Sequence, residues 1–208
     1  IDSIKVGNQN LVYSYNDTAL RITPPSILNN GDSVLISISY HGFPQRDNST
    51  FGGFYFQGQN YAYNIGVGFG ADPHVMGRCW FPCIDEFTDR STYDFSIRTL
   101  SNYKAFCNGI LQQEITNGDG TKTWKWLMDD NIPSYLASVA VAQFYTIERT
   151  YQNIPVQLAV LAGDSAETIA TFTHLDTALS IFINRYGPYR WDKVGYVAVP
   201  FTSGAMEL

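Results

Sequence analysis

Charge is scarce in this chain. Only 15% of its 208 residues are Asp, Glu, Lys or Arg, against about 25% in an average globular domain. Cations are the scarcer sign, with 13 Lys and Arg against 19 Asp and Glu and a formal net charge of −6. So few cations build no basic face, which excludes nucleic acid as a partner. No apolar run approaches the ~18 residues of a membrane-spanning helix, and no secretory apolar stretch opens the chain. Ile1 is not an initiator Met, so the sequence reads as processed or trimmed. His41, His74 and His174 form no His-x-x-x-His pair, so no helical zinc motif is present. Gly-x-Ser-x-Gly is absent, and Gly66, Gly68 and Gly70 lack the Lys-Ser/Thr of a phosphate loop. Cys79, Cys83 and Cys107 cannot all pair with one another. They read as buried free thiols, with a Cys79–Cys83 disulfide as the alternative. A cysteine metal site is disfavoured by the spacing and by the lack of a nearby His.

Rings are abundant instead. Aromatics make up 15% of the residues, with 14 Tyr and 13 Phe. Low charge with many aromatic and β-branched residues favours sheet over disorder or coiled coil. A chain this long buries roughly 70% of its unfolded surface, so it needs no staple to fold. Ser33 to Tyr40 alternates apolar Val34, Ile36, Ile38 and Tyr40 with Ser33, Ser37 and Ser39, Leu35 being the exception, which is the period of a half-buried strand. Tyr93 to Leu100 alternates in the same way. Gln112 to Thr116 and Thr121 to Leu127 flank Asn117-Gly118-Asp119-Gly120, a cluster that supplies hairpin turn geometry. Leu136 to Ile147 is a longer apolar run, consistent with a strand covered on both faces. The chain to about residue 151 is expected to be an antiparallel β-sandwich or saddle.

The pattern then changes. Val156 to Leu161 reads as a strand, and Asp164 with Glu167 three residues on reads as a capping box. Ile169, Phe172, Leu175, Leu179, Phe182 and Tyr186 recur at helical spacing until Gly187-Pro188. One amphipathic helix of about 22 residues is expected, followed by a strand over Val194 to Pro200. A helix and single strand have too little to cover their apolar faces. Residues 152–208 are therefore read as the truncated opening of a second domain, after residues 1–151 as the first. Unpaired edges and an uncovered helix give an expectation of self-association.

Four segments carry a family resemblance. Arg78-Cys79-Trp80-Phe81-Pro82-Cys83-Ile84-Asp85-Glu86 resembles a Phe-Pro-Cys-x-Asp-Glu stretch. Asn131-Ile132-Pro133-Ser134-Tyr135-Leu136, with Val141 to Phe144, resembles a Pro-x-Tyr-Leu … Val-x-x-Phe strand. Tyr186 to Lys193 resembles a Gly-x-Pro-Tyr-x-x-x-Lys link. Gly204-Ala205-Met206-Glu207 resembles a Gly-Ala-Met-Glu-Asn exopeptidase motif. Together and in this order they are similar to the aminopeptidase N family of zinc metallopeptidases, the gluzincins.

The resemblance implies a fold, mainly β: an antiparallel sandwich domain with its first strands missing, then the strand, long helix and strand that open a thermolysin-like α+β catalytic domain. It implies that the parent is a zinc-dependent aminopeptidase acting on peptide N-termini. It also implies that His-Glu-x-x-His and a further Glu lie beyond this chain, which alone holds no zinc ligand, no general base and no activity. Gly204, Ala205, Met206 and Glu207 are then substrate-binding, with the Glu207 carboxylate pairing with the substrate α-ammonium. Two departures stand out. Leu208 replaces the usual Asn, and Gly70-Ala71-Asp72-Pro73-His74 lacks the Gln or Glu expected as a second amine anchor, a place Asp72 would have to fill. Two other readings compete: a non-catalytic scaffold or interaction module with the same fold, and a carbohydrate-binding β-sandwich. Asn16-Asp17-Thr18 and Asn48-Ser49-Thr50 match the glycosylation acceptor pattern and, with the low Lys content, lean towards an exported protein.

Overall fold

A computed structural model describes residues 1–58, 61–201 and 204–208. The chain divides into two compact units, Ile1–Pro44 and Gln45–Leu208. The first is small. Its strands are β1 (Ser3–Val6), β2 (Gln9–Asn10), β3 (Tyr13–Tyr15), β4 (Leu20–Ile22) and β5 (Ser37–Ser39). They form one sheet of order β2-β1-β5 and a separate β3-β4 pair. Ile4 and Leu11 are its buried apolar residues. The strand expected over Ser33 to Tyr40 is confined to β5, because only Ser37, Ile38 and Ser39 lie opposite β1.

The second unit is built on a β-sandwich. One sheet has the order β6-β7-β12-β9, from β6 (Gly52–Gln57), β7 (Tyr61–Gly68), β9 (Lys104–Cys107) and β12 (Val139–Ala142). The facing sheet has the order β10-β11-β8, from β8 (Arg90–Leu100), β10 (Ile110–Thr116) and β11 (Thr121–Pro133). Phe54, Tyr63, Ile65 and Phe106 of the first sheet pack with Phe95, Trp124, Trp126 and Ile132 of the second in one cluster. The abundance of rings thus builds the core. Two buried ring nitrogens find acceptors: Trp124 Nε1 donates to Thr99 Oγ1 at 3.0 Å and Trp126 Nε1 to the Ala105 carbonyl at 3.0 Å. The hairpin expected at Asn117 to Gly120 joins β10 to β11, and Gly120 has the positive φ of +80° that such turns require. The three cysteines are free thiols; Cys107 is buried, and Cys79 and Cys83 are partly so.

A third sheet has the order β13-β14-β15, from β13 (Tyr145–Tyr151), β14 (Ile154–Val160) and β15 (Val194–Val197). β14 and β15 are parallel, so the helical segment between them forms a βαβ crossover. Four local expectations differ from the structure. Leu136 to Ile147 is not one strand: β12 and β13 lie in different sheets, and the chain passes between them at Phe144. The Phe144 ring is drawn into the core against Phe106 and Tyr61, which ends β12. The 22-residue helix is broken into α1 (Ser165–Thr171) and α2 (Leu175–Tyr186) by a 3₁₀ turn at Phe172–His174. Phe172 packs on Tyr196 of β15 with ring centroids 4.6 Å apart. Thr173 Oγ1 donates back to the Ala170 carbonyl at 2.8 Å, a bond that bends helices. Nor does the capping box form. Asp164 occupies the N-cap but makes no capping hydrogen bond, since residues 162–164 are already in a 3₁₀ turn. Val156, Leu158, Leu179 and Val194 form the small core of this region, with Phe172 and Leu175 against it. Ile169, Phe182 and Tyr186 stay exposed. The final strand stops at Val197 rather than Pro200.

Candidate functional site

Asp85 organises the first of the quoted motifs. Its side chain is 5% exposed and ion-pairs with Arg78 at 2.8 Å. The carboxylate also accepts the backbone N–H groups of Gly77 and Arg78, at 3.2 and 3.1 Å, and the Ser134 hydroxyl at 2.8 Å. Ser134 lies in the second quoted segment, so one carboxylate joins two segments 49 residues apart. Gly77 has no room for a side chain, since a Cβ there would lie 2.9 Å from both Asp85 Oδ1 and the Ser134 carbonyl. Burial pushes the Cys79 and Cys83 thiols up to about 12, and the Asp85 charge adds to this. Neither is a poised nucleophile.

Lys193 ends the third segment and is drawn against the sandwich. Its Nζ donates to the Cys107 carbonyl at 3.1 Å and lies 4.1 Å from the centroid of the Trp126 ring. Burial lowers its pKa from 10.5 to about 8, against a smaller opposing effect of Cys107. Tyr189 of the same segment donates its hydroxyl to the Lys193 carbonyl at 3.1 Å. The link between α2 and β15 is thereby fastened to β9 and β11.

The fourth segment, Gly204 to Leu208, has no regular secondary structure. Among the described residues it makes no backbone hydrogen bond. Gly204 has φ +150°, and a Cβ there would sit 3.3 Å from Phe51 Cε2. Met206 packs on the main core. Leu208 Cδ2 lies 3.3 Å from where a Cβ on Gly66 would be. Ala205 and Glu207 are exposed, and among the described residues the Glu207 carboxylate takes part in no hydrogen bond or ion pair. The segment therefore presents free backbone groups and a free carboxylate beside the β6–β7 hairpin.

That hairpin is held by a second acidic hub. Asp47 accepts the Ser49 hydroxyl, the Ser49 N–H at 2.9 Å and the Gly70 N–H at 2.8 Å. The Ser49 hydroxyl is the largest of the effects that hold its carboxyl below the usual range. His74 Nδ1 is 3.1 Å from the Gly68 carbonyl, in the stretch where a second amine anchor was sought. Asp72 there is exposed. His41 instead pairs with Asp2 at 2.8 Å within the first unit, and His174 sits in the 3₁₀ turn. Among the described residues no three His, Cys, Asp or Glu side chains converge to hold a metal ion. Two shallow grooves, of about 210 and 270 Å³, flank the β13–β14 hairpin, and neither is lined by residues 204–208.

Residues 1–136 match the model of the peptidase M1 N-terminal domain. The chain belongs to that family. Among its relatives, rat (Rattus norvegicus) glutamyl aminopeptidase is 27% identical over 130 residues, covering 61% of this chain and 14% of the relative. Bovine (Bos taurus) glutamyl aminopeptidase is 30% identical over 132 residues with the same coverage. Leucine aminopeptidase 2 of Vanderwaltozyma polyspora is 35% identical over 66 residues, 32% of this chain and 10% of that protein. Among solved structures, an M1 zinc metallopeptidase from Deinococcus radiodurans superposes with a TM-score of 0.82 at 18% identity, over 97% of this chain and 46% of its own. A two-domain M1 zinc metallopeptidase mutant bound to L-arginine gives 0.83, with the same identity and coverage. The M1 fold thus extends past the family match into the βαβ unit. The chain spans about a seventh of the glutamyl aminopeptidases and under half of these structural neighbours.

Sequence reasoning picked out Asp85, Ser134 and Lys193 only as members of motifs, and Glu207 as the expected partner of the substrate α-ammonium. Phe51 it missed, because one Phe among 13 carries no local signal.

Proposed function

We propose that this chain is the N-terminal part of a zinc-dependent aminopeptidase, and that its own contribution to the reaction is to hold the substrate's free amine through Glu207. Residues 1–151 are the β domain, and residues 152–208 open the catalytic domain with the βαβ unit. The observation that carries this reading is the Gly204–Glu207 segment, whose backbone groups and carboxylate lack partners among the described residues. Such a backbone can hydrogen-bond an extended peptide as an added strand. The carboxylate can meet the α-ammonium, which a peptide carries only at its N-terminus, and that makes the cleavage exopeptidic. Zinc, held by residues outside this chain, supplies an activated water and polarises the scissile carbonyl. This chain alone is inactive and does not bind zinc tightly.

The test is a double comparison in the complete enzyme. If Glu207 meets the ammonium in a desolvated cleft, Glu207→Ala leaves a buried charge unmatched and costs about 2–5 kcal/mol. That corresponds to about a 30- to 4,000-fold loss in kcat/KM on free-amine peptides. Glu207→Gln, which keeps one acceptor oxygen, falls between. An N-acetylated peptide has no ammonium, so wild type cleaves it poorly and the mutations change it little. Equal losses on both substrates would make Glu207 structural and remove the exopeptidase reading.

A further inference from the structure

We infer that Phe51 is the positioning residue for the Gly204–Glu207 segment, its ring fixing the backbone that carries Glu207; the functional consequence rests on Glu207 being the amine anchor. The segment has no ladder to hold it, for none of its backbone groups is hydrogen-bonded among the described residues. Among the described residues three side chains stand against it: the Phe51 ring beside Gly204, Met206 on the main core and Leu208 beside Gly66. Met206 is unbranched and adaptable, a poor device for fixing one geometry. Leu208 lies beyond Glu207 and is partly exposed, at 40%. Phe51 is different, because it is itself pinned.

Its N–H donates to Ser49 Oγ at 3.2 Å, and its carbonyl accepts the Phe69 N–H at 3.3 Å. Ser49 in turn is held by Asp47. The Phe51 ring stacks on Phe69 with centroids 4.7 Å apart and meets Phe201 edge-on at 5.1 Å. Phe201 also meets Tyr55 at 5.6 Å. A fixed ring thus grips the chain at Phe201 and again at Gly204, on the approach to Glu207. The glycine is matched to this role: φ +150° disfavours any side chain, and the ring stands where a Cβ would come within 3.3 Å. Placement matters because a displacement of about 1 Å in a binding constellation can cost about 100-fold.

Methyl NMR on the 208-residue chain tests this directly. The chain has three methionines, and Met76 and Met128, both buried, report on the core as internal references. In Phe51→Ala and in Phe51→Leu, the Met206 methyl is expected to gain the order of a mobile side chain while Met76 and Met128 stay restricted. If Phe51→Ala loses the fold, seen as loss of order at all three, Phe51→Leu decides, since it keeps apolar bulk and removes the ring. A Met206 methyl as restricted in Phe51→Leu as in wild type would overturn the proposal. In the complete enzyme, Phe51→Leu is expected to raise KM for free-amine peptides about 10-fold or more, with kcat nearly unchanged and N-acetylated substrates unaffected. A mobile Met206 with unchanged kinetics upholds the positioning and sinks the amine-anchor reading instead.

Discussion

Replacing Lys193 with methionine should flatten part of the chain's pH dependence of stability. The lysine is held at about 8 in the folded state against 10.5 as its ordinary value, chiefly by burial. A depressed lysine pKa means that the unfolded chain binds the proton more tightly. Below about pH 8 both states carry the proton, and the folded state bears the full cost of the desolvated charge. Between about 8 and 10.5 the folded state has released its proton while the unfolded state retains it, so stability rises with pH. At about 1.36 kcal/mol per pH unit, the full swing has an upper limit of about 3 kcal/mol. By pH 9.5 roughly 2 kcal/mol of it is realised. The Trp126 ring, 4.1 Å from Nζ, and the Cys107 carbonyl both favour the ammonium, and a desolvated cation–π contact is worth about 0.5–2 kcal/mol. The expected rise is therefore about 1–2 kcal/mol between pH 7 and 9.5. The assay is urea unfolding of wild type and Lys193→Met at half-unit steps with thiols kept reduced. Other groups titrate in both proteins, so the difference between the two free energies isolates Lys193. Wild type should gain on the variant by that amount. A difference that stays level from pH 7 to 9.5, or that falls, refutes the reasoning. At pH 7 itself two effects oppose: methionine relieves the buried charge but leaves the Cys107 carbonyl without its donor.

Asp85→Ala should destabilise the chain by about 2–4 kcal/mol, because it strands the Gly77 and Arg78 N–H groups and the Ser134 hydroxyl, whereas the half-exposed Arg78 guanidinium keeps water and the Val75 carbonyl. Asp85→Asn, which keeps one acceptor oxygen, should lose less, and equal urea midpoints for Asp85→Ala and wild type would refute the hub. Gly66→Ala should prevent folding or cost more than about 3 kcal/mol. Its Cβ would fall 1.5 Å from the Tyr135 carbonyl oxygen, an overlap no rotamer relieves; a melting temperature within about 3 °C of wild type would contradict this.

Some of this protein could be read directly from residue order. Alternation over Tyr93 to Leu100 gives a strand because side chains on an extended chain point to opposite faces, and β8 is there. The Asn-Gly-Asp-Gly cluster gives a hairpin because the turn needs positive φ, and Gly120 supplies it. The recurrence of apolar residues from Ile169 to Tyr186 gives helical periodicity, and both α1 and α2 follow it. Each of these rules acts within one turn or one strand. Tertiary structure decided what those rules do not reach. Leu136 to Ile147 is apolar throughout, yet it divides between two sheets because the Phe144 ring has a place against Phe106. The helix breaks at Phe172 because Tyr196 of β15 offers that ring a partner. Lys193 reads as an ordinary link residue until folding sets it on a carbonyl 86 residues away. Asp85 becomes a hub only when Ser134 is brought to it. Glu207 could be named from its motif, but the ring that seats its segment could not. Local propensity falls off within a few residues, whereas the contacts that fix a site join residues whose distance along the chain carries no information about their distance in space.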